Sequence, residues 1–378
     1  MKIVRAFKTE LDLNNQQKSA CARHAGAARF AYNWGLARKQ EAFVHGEKTP
    51  SAIDLHRELN VLKKTELSWM YAVSKCAPQE ALRDLDKALA HFFRRVKEKQ
   101  AGRNVKVGFP RFKSKKRGLG SFRLTGAIHV FEKAIQLPRL GKLRLKECGY
   151  LPTSGVHMLS ATVREKGGRW FVSLQVEMEI PDPVRGEKPV AGVDLGIHRL
   201  AQVSDGIYFE NPQALKNAQT KLKRLQRVVS RRQKGSANHQ KAVRQLARAH
   251  LQVANIRKDA LHQATTYLAK TKSAIMLEDL NVSGMMAREA CFAHHHLAQA
   301  IADVGMYEFR RQLAYKGQWY GCEVFLANRF FPSTKRCSQC GQEKAISLAE
   351  RVYACERCGQ VIDRDLNAAI NLEQLFYS

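Results

Sequence analysis

Apolar positions recur at two intervals along this chain, and the interval in force marks out its elements. Met1 to Leu11 reads as a strand, with Ile3, Ala6 and Phe7 apolar among Lys2, Arg5 and Lys8. From Asn14 to about Phe43 the period is helical, and Ala27, Phe30, Ala31 and Trp34 share one face. A second helix is predicted over Ser51–Leu62, capped by Ser51, and a third from Pro78 through Leu82, Leu85, Leu89 and Phe92/Phe93. These three make a small bundle. From Ile128 to Ile180 strand signals dominate, and the clearest is a hairpin over Ser160–Met178 that turns at Lys166–Arg169 on Gly167-Gly168. Trp170, Val172, Leu174, Val176 and Met178 alternate onto one face. The first half is therefore expected to be a β-barrel or sheet carrying an inserted helical bundle.

Pro181, Pro183, Gly186 and Pro189 mark a linker, behind which the pattern changes. Residues 190 to 200 read as one apolar strand containing a single acid, Asp194. Two long helices follow, Leu215–Arg232 and Ser236–Lys270, the second with Val243, Leu246, Leu261 and Leu268 inward. Residues 273–280 form another apolar strand, Cys291 with His294–His296 read as a solvated turn, Leu297–Tyr320 is an amphipathic helix, and Cys322–Ala327 is a last strand.

Charge changes the picture. The 64 Lys and Arg outnumber the 34 Asp and Glu, for a net charge of +30, which implies a polyanionic partner. No apolar run approaches the length of a membrane span and the N-terminus has no signal-peptide core, so nucleic acid in the cytoplasm is the expected setting. Residues 101–150 hold 13 bases against two acids, and 211–260 hold 13 against one. In the first window Arg111, Lys113, Lys115, Lys116, Arg117 and Arg123 are phosphate ligands by type, while Phe122 either stacks on a base or anchors the segment. In the second, Lys221, Arg224, Arg231, Arg244, Arg248 and Arg257 line the helix faces with almost no acids to pair them.

Two Cys-x-x-Cys pairs, Cys337/Cys340 and Cys355/Cys358, each followed by glycine, have the spacing of a four-thiolate zinc ribbon. Such a site is closed, so its one Zn²⁺ is structural and the chemistry belongs to acids elsewhere. A lone Asp194 in an apolar strand is costly unless paired or metal-bound. Glu278 and Asp279 are adjacent on a strand, so only one of them can face Asp194. Asp363 and Asp365 follow the ribbon, at the start of a helix.

At G-V-D-L-G-I around Asp194, M-L-E-D-L-N around Glu278 and D-R-D-L-N-A-A-I-N around Asp365, the chain resembles the TnpB family of insertion-sequence RNA-guided DNA endonucleases, relatives of type V CRISPR effectors. R-F-A-Y-N-W-G-L at 29–36, E-L-S-W-M at 66–70 and G-F-P-R-F-K at 108–113 extend the likeness over nearly the whole chain. The resemblance implies a multidomain protein of mixed α/β and β class. A wedge-like N-terminal β-barrel, residues 1–185, would carry a recognition bundle inserted at about 12–100. Residues 186–378 would be a RuvC nuclease of RNase H fold containing the zinc ribbon at about 335–361. Asp194, Glu278 and Asp365, with Asp363 as the alternative third acid, would hold two catalytic Mg²⁺. The partners would be a separately encoded guide RNA and double-stranded target DNA carrying a short adjacent motif. The setting would be a transposable element of a bacterial or archaeal cell, with the protein on the nucleoid. Two other functions fit the same residues: a guide-directed DNA-binding regulator that never cuts, and a guide-independent structure-selective nuclease.

Overall fold

The computed structural model describes residues 1–115, 118–183, 188–286, 295–347 and 349–377. They form two compact units, Met1–Ile180 and Pro181–Ser378.

In the first unit, strand β1 (Lys2–Asp12) leads into α1 (Asn15–Val44), α2 (Ala52–Leu62) and α3 (Cys76–Gln100). Asn14 caps α1 through a reciprocal box with Gln17, and Ser51 caps α2 through one with Asp54, so orphan N–H groups at both starts are satisfied. Helix α3 begins at Cys76 and has Pro78 in its first turn, where no intrahelical N–H is needed. Then come β2 (Ser121–Leu124), β3 (His129–Phe131), β4 (Ala134–Leu137), β5 (Gly141–Leu145), β6 (Val156–Lys166) and β7 (Arg169–Glu179). Gly167 and Gly168 take φ of 64° and 77°, which the two-residue hairpin turn between β6 and β7 requires. The sheet order is β2-β6-β7-β1-β5-β4-β3, with every pairing antiparallel.

The expected closed barrel is corrected to an open sheet: among the described residues no ladder joins β2 to β3. These edge strands have four and three residues, too short to form a closing seam, and β2 packs on α1 and α3 instead. One core serves sheet and bundle together, with Leu124, Val172 and Leu174 in the same cluster as Leu36, Leu55, Leu82 and Leu85.

The second unit is built on β8 (Val190–Asp194), β9 (Arg199–Val203), β10 (Tyr208–Glu210), β11 (Ala274–Glu278) and β12 (Glu323–Ala327). The order is β10-β9-β8-β11-β12: β8, β9 and β10 form an antiparallel meander, while β8, β11 and β12 run parallel. Residues 190–200 are thus not one strand. The chain leaves the sheet after Asp194, and Arg199–Val203 returns antiparallel. Helices α4 (Ala214–Arg231) and α5 (Ala237–Thr271) cross to β11, and Val243, expected inward, is 41% exposed because Ala242 and Ala249 take that face. The short α6 (Val282–Met285), α7 (His295–Val304) and α8 (Met306–Tyr320) cross to β12. The single helix expected over 297–320 is broken at Gly305, whose φ of 76° no helix admits. Cys291 and His294 lie outside the described residues. Strands β13 (Val352–Ala354) and β14 (Val361–Asp363) make a separate ribbon, and α9 (Arg364–Tyr377) lies on β8. Gly192 permits that contact, since a Cβ there would meet the Ala369 carbonyl oxygen at 1.9 Å. Among the described residues no helix is long and apolar enough to cross a membrane.

Two histidines inside these folds are held neutral. In the first unit the His24 Nε2 accepts the Ser74 N–H at 3.0 Å while Nδ1 lies 2.9 Å from the Ala20 carbonyl. Burial chiefly lowers its pKa. In the second, burial and then the Lys316 ammonium push His262 down to about 4. Each folded-state value lies below the unfolded one of about 6.5, so the stability these groups contribute is complete above that pH and is lost as pH falls through it. Measured against a His24→Gln, His262→Gln variant, so that the acids' opposite slope cancels, the parent's urea unfolding is expected to lose on the order of 1 kcal/mol per unit between about pH 7 and 5, after discounting for solvent screening. A gap between parent and variant that stays constant over that range would contradict the assignment.

Candidate active site and metal centre

Strands β8 and β11 pair in parallel with Val193 opposite Leu277, so the next residues, Asp194 and Glu278, leave neighbouring strands at the same end. That carboxyl end is where parallel sheets of this kind place their ligands. Asp365 sits in the first turn of α9, the helix that Gly192 brings down onto β8. The Asp194 carboxyl is pushed well above the usual carboxylate range, first by burial and then by the charges of Glu278 and Asp365. Glu278 is raised too, by burial, although the Ser333 hydroxyl donates to its Oε1 and favours the ionised form. Acids from three elements thus meet here, and Asp194 is disfavoured by the charges of the other two.

The flanking acids have other work. Asp363 caps α9: its Oδ1 accepts the N–H groups of Asp365 and Leu366 at 3.0 and 3.1 Å, and its Oδ2 lies 3.4 Å from Arg199. Asp365 is met at 3.3 Å by the guanidinium of Arg364, which is itself buried. Asp279 holds Arg329 and Arg310 at 2.6 and 2.9 Å, which keep its carboxyl below the usual range. Sequence patterning missed Ser333 and Arg364. The signals available were their positions, within the P-S-T-K-R-C entry to the ribbon and between the two aspartates.

As to what could bind there, an all-oxygen donor set of mutually repelling carboxylates suits a hard divalent cation, which would relieve the repulsion. Among the described residues only the four cysteines converge tightly enough for a single ion. Of the acids, Glu278 is tied to Ser333 and Asp365 to Arg364.

The ribbon repeats one device twice, C-S-Q-C-G-Q at 337–342 and C-E-R-C-G-Q at 355–360. In each, the glycine has φ near 74°, Gly341 and Gly359 donate to Cys337 O and Cys355 O at 3.0 Å, and the first cysteine N–H reaches the terminal glutamine carbonyl. The four Sγ atoms lie within 4.8 Å of one another, with Cys337 to Cys358 at 3.6 Å and Cys340 to Cys355 at 3.5 Å. A tetrahedron with Zn–S of about 2.3 Å has edges of about 3.8 Å, so the cysteines fit zinc. Helix α9 is stapled to this ribbon. Asn367 accepts from Ser338 N and donates to Arg336 O, and Asn371 donates to Ser333 O and Arg336 O, all within 2.6–2.9 Å.

The basic residues divide. Arg111, Lys113 and Lys115 are exposed, with the Lys113 ammonium 3.6 Å over the Tyr32 ring; Lys116 and Arg117 lie outside the described residues. Lys221, Arg224, Arg231, Arg244 and Arg248 are exposed on α4 and α5. Arg123 is half-buried, 3.8 Å from Glu80 and 4.0 Å from Asp84. Two assignments are corrected. Phe122 is 2% exposed, pointing inward from β2 against His24, and offers no face to a base. Arg257 is spent on buried Asp303 at 2.5 Å, whose other oxygen accepts the Leu215 N–H at the start of α4.

Against known families, residues 173–289 match OrfB_IS605, "Probable transposase"; residues 307–372 match "Cas12f1-like, TNB domain"; and residues 1–48 match a "Helix-turn-helix domain". That last stretch folds here as β1 and one continuous helix, α1. The chain is similar to "Putative RNA-guided DNA endonuclease InsQ" of Escherichia coli K12, 36% identical over 98% of this chain and 92% of the relative. It is also similar to the "TnpB-like protein L79" of Acanthamoeba polyphaga mimivirus, 29% identical over 50% of this chain and 38% of that one. A solved mini-RNA-guided endonuclease, CRISPR-Cas_phi3, aligns over 99% of this chain and 92% of its own at 9% identity and a TM-score of 0.48.

Proposed function

This chain belongs to the TnpB family, and from that membership we propose that it is an RNA-guided, Mg²⁺-dependent DNA endonuclease of a transposable element. It would cut DNA matched to a separately encoded guide beside a short adjacent motif. The observation that carries the proposal is that half-buried Asp194 and Glu278 leave neighbouring parallel strands at one end, with Asp365 close enough to act on Asp194, in a chain of net charge +30. Three carboxylates crowded at one sheet end are unfavourable by themselves and favourable around cations.

The five-stranded sheet, an antiparallel meander continued by two parallel strands, supports a RuvC core of RNase H type. Asp194, Glu278 and Asp365 would hold two Mg²⁺, which when bound supply an activated water and stabilise the leaving 3′ oxygen. The chain's own part is to fix those ligands. Strand pairing fixes Asp194 and Glu278, Ser333 orients the glutamate, and the Asp363 cap sets the first turn that carries Asp365. Exposed bases on α4, α5 and the 111–115 segment would follow a guide–target duplex by its backbone, leaving sequence choice to base pairing.

The test is to sequence RNA that copurifies with the protein expressed from its native locus. One discrete structured RNA ending in a variable segment is expected. Bulk cellular RNA alone would overturn guide dependence and leave a guide-independent nuclease.

A further inference from the structure

Asp279, which the catalytic reading leaves unused, organises a second site beside the acids. Each of its oxygens takes a different arginine from a different element: Arg310 of α8 binds Oδ1 at 2.9 Å, and Arg329, just past β12, binds Oδ2 at 2.6 Å and the Asp279 carbonyl at 3.3 Å. A guanidinium has five N–H donors, of which these contacts use one from Arg310 and two from Arg329. Both side chains stay open to solvent, 38% and 51% exposed, against 29% for Asp279. They border a groove of about 440 Å³ that Glu278 also lines, floored by Leu195 and Met306. Tyr307 stands one turn before Arg310 on the same helix face and is 65% exposed over this groove.

We propose that this groove seats one unpaired nucleotide of the DNA strand to be cut, with Tyr307 stacked on its base, Arg310 and Arg329 on its phosphate, and Asp279 positioning the two arginines. The inference rests on the nuclease reading above and adds the subsite that reading lacks. The charge logic favours DNA as occupant. The acids at the neighbouring strand ends repel a phosphodiester, and two guanidiniums on one carboxylate leave a local surplus of one positive charge at the rim. The base must be unpaired, because a ring paired within a duplex cannot lay its face on Tyr307.

Photo-crosslinking tests this without a cleavage readout. The full chain carrying Asp194→Asn is irradiated with a short single-stranded oligodeoxynucleotide containing 5-iodo-2′-deoxyuridine, and adducts are mapped by mass spectrometry. Tyr307 is expected to be a principal adduct. Its yield should fall about 5-fold or more when Arg310→Gln and Arg329→Gln are combined, and also with Asp279→Asn, while Tyr307→Phe keeps the adduct at position 307. Thermal melting of each variant separates this loss from unfolding. Background labelling at Tyr307, or full yield in a folded arginine double variant, would overturn the proposal. The unsubstituted chain assayed on guide-matched duplex keeps the two claims apart: cleavage without the adduct sinks the groove alone, and the adduct without cleavage sinks the nuclease reading.

Discussion

Asp194→Asn is expected to lower Mg²⁺-supported DNA cleavage by about three orders of magnitude or more while guide binding persists. A metal held by carboxylates supplies several kcal/mol of transition-state stabilisation, and each 1.4 kcal/mol is about tenfold in rate. The same variant should be more stable than the parent in metal-free buffer. Asp194 is raised in the folded state by burial and by Glu278 and Asp365, so at neutral pH its ionised form costs stability, and that cost grows as pH rises above the unfolded value of about 3.9. Asparagine keeps the shape and removes the charge. A melting temperature above the parent's without Mg²⁺, with the gap narrowing as Mg²⁺ is added, is the signature. Undiminished cleavage in Asp194→Asn, or a lower melting temperature, would contradict the site.

The second large effect is expected from Cys337→Ser or from zinc removal by a chelator. Structural zinc contributes about 10–16 kcal/mol of apparent binding free energy in small ribbons, more than the small apolar cluster around Tyr353 can replace. The loss should travel. Asn367 and Asn371 of α9 take their partners from Ser333, Arg336 and Ser338 at the ribbon's base, and the same helix presents Asp365. Cleavage should therefore disappear together with the ribbon, while the β8–β11 ladder keeps its hydrogen-exchange protection. Metal analysis should find one zinc per chain. Absence of zinc in active protein would refute the centre.

Local chemistry made much of this molecule legible. The caps at Asn14 and Ser51, the Gly-Gly hairpin at 167–168, the two basic helices and the Cys-x-x-Cys pairs each declare themselves within a few residues. What escaped depends on distant partners. Leu195 and Ile197 are as apolar as the strand before them because they pack against the core of the second unit, so hydrophobicity could not mark the end of β8 at Asp194. The break at Gly305 hid inside an amphipathic period that resumes on its far side. Whether a sheet closes depends on its edges, and β2 and β3, four and three residues long, share no ladder among the described residues. Arg257 looked available for phosphate until Asp303, 46 residues on, reached it. Residue type singled out Asp194, a lone acid in an apolar strand, but the set of Asp194, Glu278 and Asp365 came from the family resemblance; Ser333 and Arg364, which tether two of them, carry no pattern of their own.

The central claim is that a guide chooses where these acids cut. The direct measurement is cleavage by the purified protein–RNA complex of two plasmids in Mg²⁺, one matching the guide's variable segment and one matching a replacement segment, each beside the same library of flanking sequences. The account predicts that the cut moves to the second plasmid when, and only when, the segment is exchanged, and that Asp194→Asn cuts neither. Cutting that ignores the exchange, or a matched complex that binds and never cuts, would contradict it.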